Sequence, residues 1–147
     1  MSIAHRTATT TWQGPLASGS GTVVGGSGAL DGLDVTWAAR TEQPGGKTSP
    51  EELAAAAHSS CFAMALALRL GERNNPPQQL SVEATVTLDD VDGAPTIVSS
   101  QLLVKGRVIG LDGDGFQAVV DEAAALCPIS RLFTGARISV EALLEPN

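Results

Sequence analysis

The chain has 147 residues, 43% hydrophobic and 17% charged, a composition and size that suit one globular domain, 1–147, built around one core. A formal charge of -7, with no clustered Lys and Arg to neutralise phosphates, excludes a nucleic-acid partner and disfavours an anionic membrane surface. With three Phe, two Trp and no Tyr, the core falls to Ala, Val, Leu and Ile.

The opening MSIAHRTATTTWQG lacks the apolar stretch of a secretory signal. The longest unbroken apolar run, Cys61 to Leu68, is far short of the ~18 residues that suggest a membrane span. A cytoplasmic location is therefore expected, and in that compartment the two cysteines are thiols or a cycling pair rather than a permanent staple. Residues Thr7–Trp12, Gly19–Val24 and Leu33–Ala39 read as short strands separated by Gly- and Pro-bearing turns, an antiparallel meander. Thr41–Ser49 is a Pro/Gly loop.

Ser49 then suits an N-cap, Pro50 the first helical position, and Glu51 and Glu52 the positive end of the helix dipole. Glu52, three residues after Ser49, completes a capping-box pattern. The helix is expected to continue to about Gly71. From Leu53 to Leu70 its only strongly polar side chains are His58, Ser59, Ser60 and Arg69. A helix apolar on nearly every face is expected to be buried between other elements, and its small Ala and Ser residues suit close packing against a second copy. Asn74–Pro77 ends it. Gln79–Asp89 and Ile97–Val108 alternate apolar and polar residues and form a hairpin through a turn at Asp90–Pro95. After a loop at Asp112–Gly115, Phe116–Leu126 has helical spacing. Cys127-Pro128 breaks it, Ile129–Phe133 makes a short helical turn, and Arg137–Leu144 is a last strand. The order describes an α+β domain.

Cys61 and Cys127 lie 66 positions apart with no CxxC or zinc spacing, and the sequence alone does not bring them together. Each also suits a small buried hydrophobe. Cys127 precedes Pro128, where the free N–H groups of a new helical turn would stabilise a thiolate. His58, three residues before Cys61, raises a Cys–His hydrolase dyad, but no orienting Asn or Asp stands nearby, and a hydrogen-bonded, semi-buried histidine at a dimer interface is the better reading. The Asp-Gly clusters at 89–93 and 112–115 lack the closing glutamate of a calcium loop and are turn chemistry. SGSGTVVGGSG lacks the strand-then-helix context of a phosphate loop. No cofactor and no metal are expected.

The stretches PEELAAAAHSSCFAMAL and LCPISRLF, with TTWQG and Arg40 before a Gly-rich loop, resemble the OsmC/Ohr family, its OsmC branch in particular, across essentially the whole chain. The resemblance implies an intertwined homodimer with long central helices packed between antiparallel sheets. It implies a thiol-dependent peroxidase acting on organic hydroperoxides in oxidative and osmotic stress defence. Cys61 is then the peroxidatic cysteine, Cys127 the resolving one, and Arg40 and Glu51 the arginine and glutamate of the active site. An external dithiol, of lipoyl type by the resemblance, is the reductant. Burial in an apolar helix raises a thiol's pKa, so a peroxidatic Cys61 needs a cation, with Arg40 the candidate and Glu51 orienting it. Ten residues on one helix separate Glu51 from Cys61 by ~15 Å and about 80° of rotation, so Arg40 and Glu51 are expected to serve the Cys61 of a partner subunit. The alternative is a non-enzymatic dimeric stress protein that binds a hydrophobic ligand at the same interface.

Overall fold

The computed structural model describes every residue from Met1 to Asn147. Two compact units emerge, Met1–Leu53 and Ala54–Asn147. In the first, β1 (Ala8–Gln13), β2 (Ser20–Gly25) and β3 (Leu33–Val35) form the expected antiparallel meander in the order β1-β2-β3. Gly21 and Val23 of β2 turn inward, and Gly21 has a reason to lack a side chain: a Cβ there would stand 2.9 Å from the Trp12 ring.

The third strand is shorter than the sequence favours. It stops at Val35, and Trp37–Thr41 is a short helix, α1. Thr36 causes the switch. Its extended backbone and its hydroxyl, which accepts the Ala39 N–H at 3.0 Å, make it an N-cap, and the following Ala-Ala-Arg favours helix. Arg40 therefore stands on a helix rather than just past the end of a strand.

The long helix α2 runs from Pro50 to Glu72. Ser49 caps it by accepting the Glu52 N–H at 3.1 Å. The return arm of the capping box is missing because the Glu52 carboxylate accepts the Thr48 hydroxyl instead, at 2.5 Å. At the other end Asn74 takes φ +61°, and the Asn75 N–H closes on the Leu70 carbonyl at 2.9 Å. An 18-residue window of α2 has a mean hydropathy of 1.4, enough to cross a membrane by length and composition, although its unbroken apolar runs are short. One side of it is core. His58, Phe62, Leu66 and Leu70, at a spacing of four, are buried. Burial on every side does not hold for the single chain: Met64 and Leu68 are 74% and 59% exposed and Cys61 is half-buried.

In the second unit β4 (Pro77–Val91) and β5 (Ala94–Val108) make the expected hairpin, longer and tighter than the sequence reading. Its turn is the two residues Asp92 and Gly93, with φ +52° and +84°, the left-handed pair that matches strand twist. Helix α3 (Gly113–Leu126) starts ahead of Phe116 because Asp112 caps it through the Gly115 N–H at 2.8 Å. It leads through Cys127 into α4 (Pro128–Leu132) and then β6 (Arg137–Leu144). β6 pairs with β5 in parallel, so this sheet, β4-β5-β6, is mixed rather than wholly antiparallel. The helical crossover between β5 and β6 is what allows a parallel neighbour. The core joins Phe62, Leu66 and Leu70 of α2, Leu102, Val104 and Val108 of β5, and Phe116, Val119, Val120 and Ala123 of α3. Gly106 faces inward on β5 to admit the Phe116 ring.

Candidate active site

Cys127 is buried at the corner between α3 and α4, where its N–H bonds back to Ala123 and its carbonyl accepts from Arg131. The Pro that follows forces this corner, since the residue before a proline leaves the helical region; Cys127 has ψ 116°. The corner carries the Cys127 thiol to α2, where Cys61 packs against the same cluster and the two thiols lie close enough to affect each other. Two cysteines 66 positions apart thus share one site.

Burial pushes the Cys61 thiol above its ordinary pKa. The Ile129 backbone N–H, which hydrogen-bonds to Cys61, opposes this, while the neighbouring Cys127 thiol adds to the rise. The sequence reading places the free N–H groups after Pro128 on Cys127; Cys127 is the N-cap of α4 but its side chain makes no capping bond, and the N–H of Ile129 serves Cys61 instead. No cation of the second unit contributes to the shift. Beside Cys61 a mostly apolar groove of about 440 Å³ is lined by Met64, Ala65, Leu68, Leu126 and Pro128, with Arg69 of the same helix at its edge.

In the first unit Arg40 and Glu51 form one ion pair. Arg40 Nε donates to both carboxylate oxygens at 3.0 Å and Nη2 to Oε1 at 2.7 Å. The side chains are 28% and 11% exposed. The guanidinium carbon lies 5.8 Å from the centre of the Trp37 ring, a cation–π contact. Nη1 makes no hydrogen bond and remains available to a further acceptor. The short helix α1 and the first turn of α2 fix this pair, so the guanidinium plane is set before any substrate arrives.

His58 is fully buried within the single chain rather than semi-buried at an interface. Its Nδ1 lies 2.6 Å from Ser100 Oγ and its Nε2 2.7 Å from Ser130 Oγ, and its ring meets Phe133 edge-on with centroids 5.2 Å apart. Burial holds its pKa below the ordinary histidine value. Both ring nitrogens are spent on serines, so the dyad has no basic nitrogen left for a thiol.

A family model described as OsmC-like protein matches residues 43–142, which include both cysteines and Glu51. The chain belongs to the OsmC family. Among OsmC relatives, the peroxiredoxin OsmC of Escherichia coli (strain K12) is 38% identical over 128 residues, 87% of this chain and 89% of that protein. The organic hydroperoxide resistance protein of Xanthomonas axonopodis pv. citri (strain 306) is 30% identical over 92 residues, 62% of this chain and 63% of that protein. The crystal structure of the organic hydroperoxide resistance protein OhrB of Bacillus subtilis superposes with a TM-score of 0.72 at 29% identity, covering 93% of this chain and 98% of that one. The OsmC fold is thus the fold of this chain.

Sequence reasoning does not find three partnerships: the Ile129 N–H with Cys61, and the hydroxyls of Ser100 and Ser130 with His58. Ser130 follows Cys127 by three residues inside the LCPISRLF stretch, a signal available but silent without a partner. Ser100 gives no signal beyond a serine pointing inward in an alternating strand.

Proposed function

We propose that this protein is a cysteine-based peroxidase that reduces organic hydroperoxides to alcohols, with Cys61 peroxidatic and Cys127 resolving. The observation that carries the reading is the closeness of the two thiols beside a mostly apolar groove. The Cys61 thiolate attacks the distal oxygen of ROOH, the O–O bond breaks, and the departing alkoxide takes a proton to leave as ROH. Cys61 becomes a sulfenic acid. The Cys127 sulfur displaces its hydroxyl, water departs, and a disulfide remains. An external dithiol, of lipoyl type in our reading, returns both thiols by exchange and is itself oxidised to a disulfide. The relatives named as peroxiredoxin and organic hydroperoxide resistance protein support this chemistry, and the apolar lining supports a substrate with a hydrocarbon tail.

The working unit in this proposal is a cytoplasmic homodimer in which each chain is a single domain. The exposed apolar side of α2 and Leu126, 42% exposed, supports a second copy as the cover. Arg40, held by Glu51, then supplies the cation for the reaction, acting on the partner's thiolate and on the peroxide oxygens through its free Nη1.

The test is turnover of cumene hydroperoxide with a dithiol reductant. Cys61→Ser abolishes it. Cys127→Ser consumes one equivalent of peroxide and then stalls. Multiple turnovers by the Cys61→Ser variant refute the assignment. Thiols that remain inert to peroxide in the wild type favour instead a dimer that binds a hydrophobic ligand in the groove.

A further inference from the structure

The mechanism leaves one buried titratable group unused. His58 stands one turn before Cys61 on α2, and it ties three elements together: α2 itself, β5 through Ser100 and α4 through Ser130. Ser130 is the residue after Ile129, whose N–H rests on the Cys61 sulfur. The bond from His58 to Ser130 therefore fixes the peptide unit that follows Ile129, on the same side of α2 as the thiol. A neutral imidazole donates from one nitrogen and accepts at the other, so one serine hydroxyl accepts from the ring and the other donates to it. Such a buried network is satisfied at both ends and rigid; losing one partner leaves an unpaired buried polar group.

We propose that His58 is a positioning residue for the peroxidatic cysteine: through Ser130 it anchors the 127–130 segment to α2 and holds the Ile129 N–H on the Cys61 sulfur. The tie to Ser100 has a different task, seating the imidazole against the sheet. The role rests on Cys61 being the reactive thiol, as proposed above.

The experiment reads the thiol without peroxide, so that its failure is distinct from failure of the peroxidase assignment. The reduced full-length protein is alkylated with iodoacetamide from pH 5 to 10, and modification of Cys61 is followed by peptide mass spectrometry. Glutamine reaches where Nε2 stands and asparagine where Nδ1 stands. His58→Gln thus preserves the link to Ser130 and keeps the wild-type alkylation midpoint. His58→Asn and Ser130→Ala lose the link and move the midpoint to higher pH. A hydrogen bond to a charged acceptor is worth about a factor of ten in thiolate population. The more basic thiolate is roughly threefold more nucleophilic, so alkylation at neutral pH slows roughly threefold. Ser100→Ala, which loosens the same core without touching the 127–130 segment, leaves the midpoint in place. An unchanged midpoint in folded Ser130→Ala and His58→Asn overturns the proposal. So does an equal displacement in Ser100→Ala, because it would make the effect one of general loosening.

Discussion

Glu51→Gln removes one charge from the Arg40–Glu51 pair and almost no volume. In the native pair three N–H···O contacts, at 3.0, 3.0 and 2.7 Å, fall on two carboxylate oxygens. A glutamine side chain offers one oxygen, and its amide N–H₂ opposes the remaining guanidinium donor. At best a single neutral acceptor survives, and hydrogen bonds to a charged acceptor are about twice as strong as neutral ones. Glu51 is nearly buried, but Arg40 is 28% exposed, so water screens part of the attraction. The net loss expected is about 1–2 kcal/mol. A double-mutant cycle with Arg40→Met, read by urea denaturation, isolates the pairwise part. If the pair also orients the guanidinium for catalysis, kcat/KM for cumene hydroperoxide falls about tenfold for each ~1.4 kcal/mol of lost transition-state binding. A coupling energy below ~0.3 kcal/mol, together with wild-type kcat/KM in Glu51→Gln, would refute the argument that the carboxylate fixes the arginine.

Two further outcomes follow from the core of the second unit. Burial holds His58 neutral in the fold, with a pKa below its ordinary value of 6.5, so the unfolded chain binds the proton first as pH falls. The stability tied to neutral His58 is complete above pH 6.5 and declines below it toward the depressed folded pKa, with a slope of at most about 1.4 kcal/mol per pH unit. Urea midpoints between pH 8 and 5 should show this decline relative to His58→Gln, and parallel curves would contradict it. Gly106→Ala places a methyl group 2.5 Å from Phe116 Cζ and 2.7 Å from Cε2, in a ring that is buried. Overpacking of this kind costs about 1–3 kcal/mol, and an unchanged urea midpoint would show that the ring has room to retreat.

Much of the architecture was legible in local pattern. Ser49-Pro50-Glu51-Glu52 announces a helix start whether or not anything packs on it, because capping and dipole complementarity act within a single turn. Alternation across Gln79–Asp89 and Ile97–Val108 marks a half-buried hairpin with its turn within Asp90–Pro95, which the structure narrows to Asp92-Gly93. The short helix holding Arg40 was missed for a related reason. Val35-Thr36-Trp37 is rich in strand formers, and the competing signal is one threonine hydroxyl whose N-capping role appears only when the chain turns. The parallel partnership of β5 and β6 likewise depends on where the α3–α4 crossover delivers the chain.

By itself the sequence determined most of the elements, the apolar character of the cysteine-bearing helix and, through the two motifs around Cys61 and Cys127, membership of a family. Only the tertiary structure decided that the two thiols lie close together, that the Ile129 N–H lies on Cys61 rather than Cys127, and that His58 is spent on Ser100 and Ser130. The division has a physical cause. Helix caps, turns and periodicity are written in neighbours a few residues apart, whereas a thiol's chemistry is set by atoms within a few ångströms in space, here drawn from positions tens of residues away along the chain.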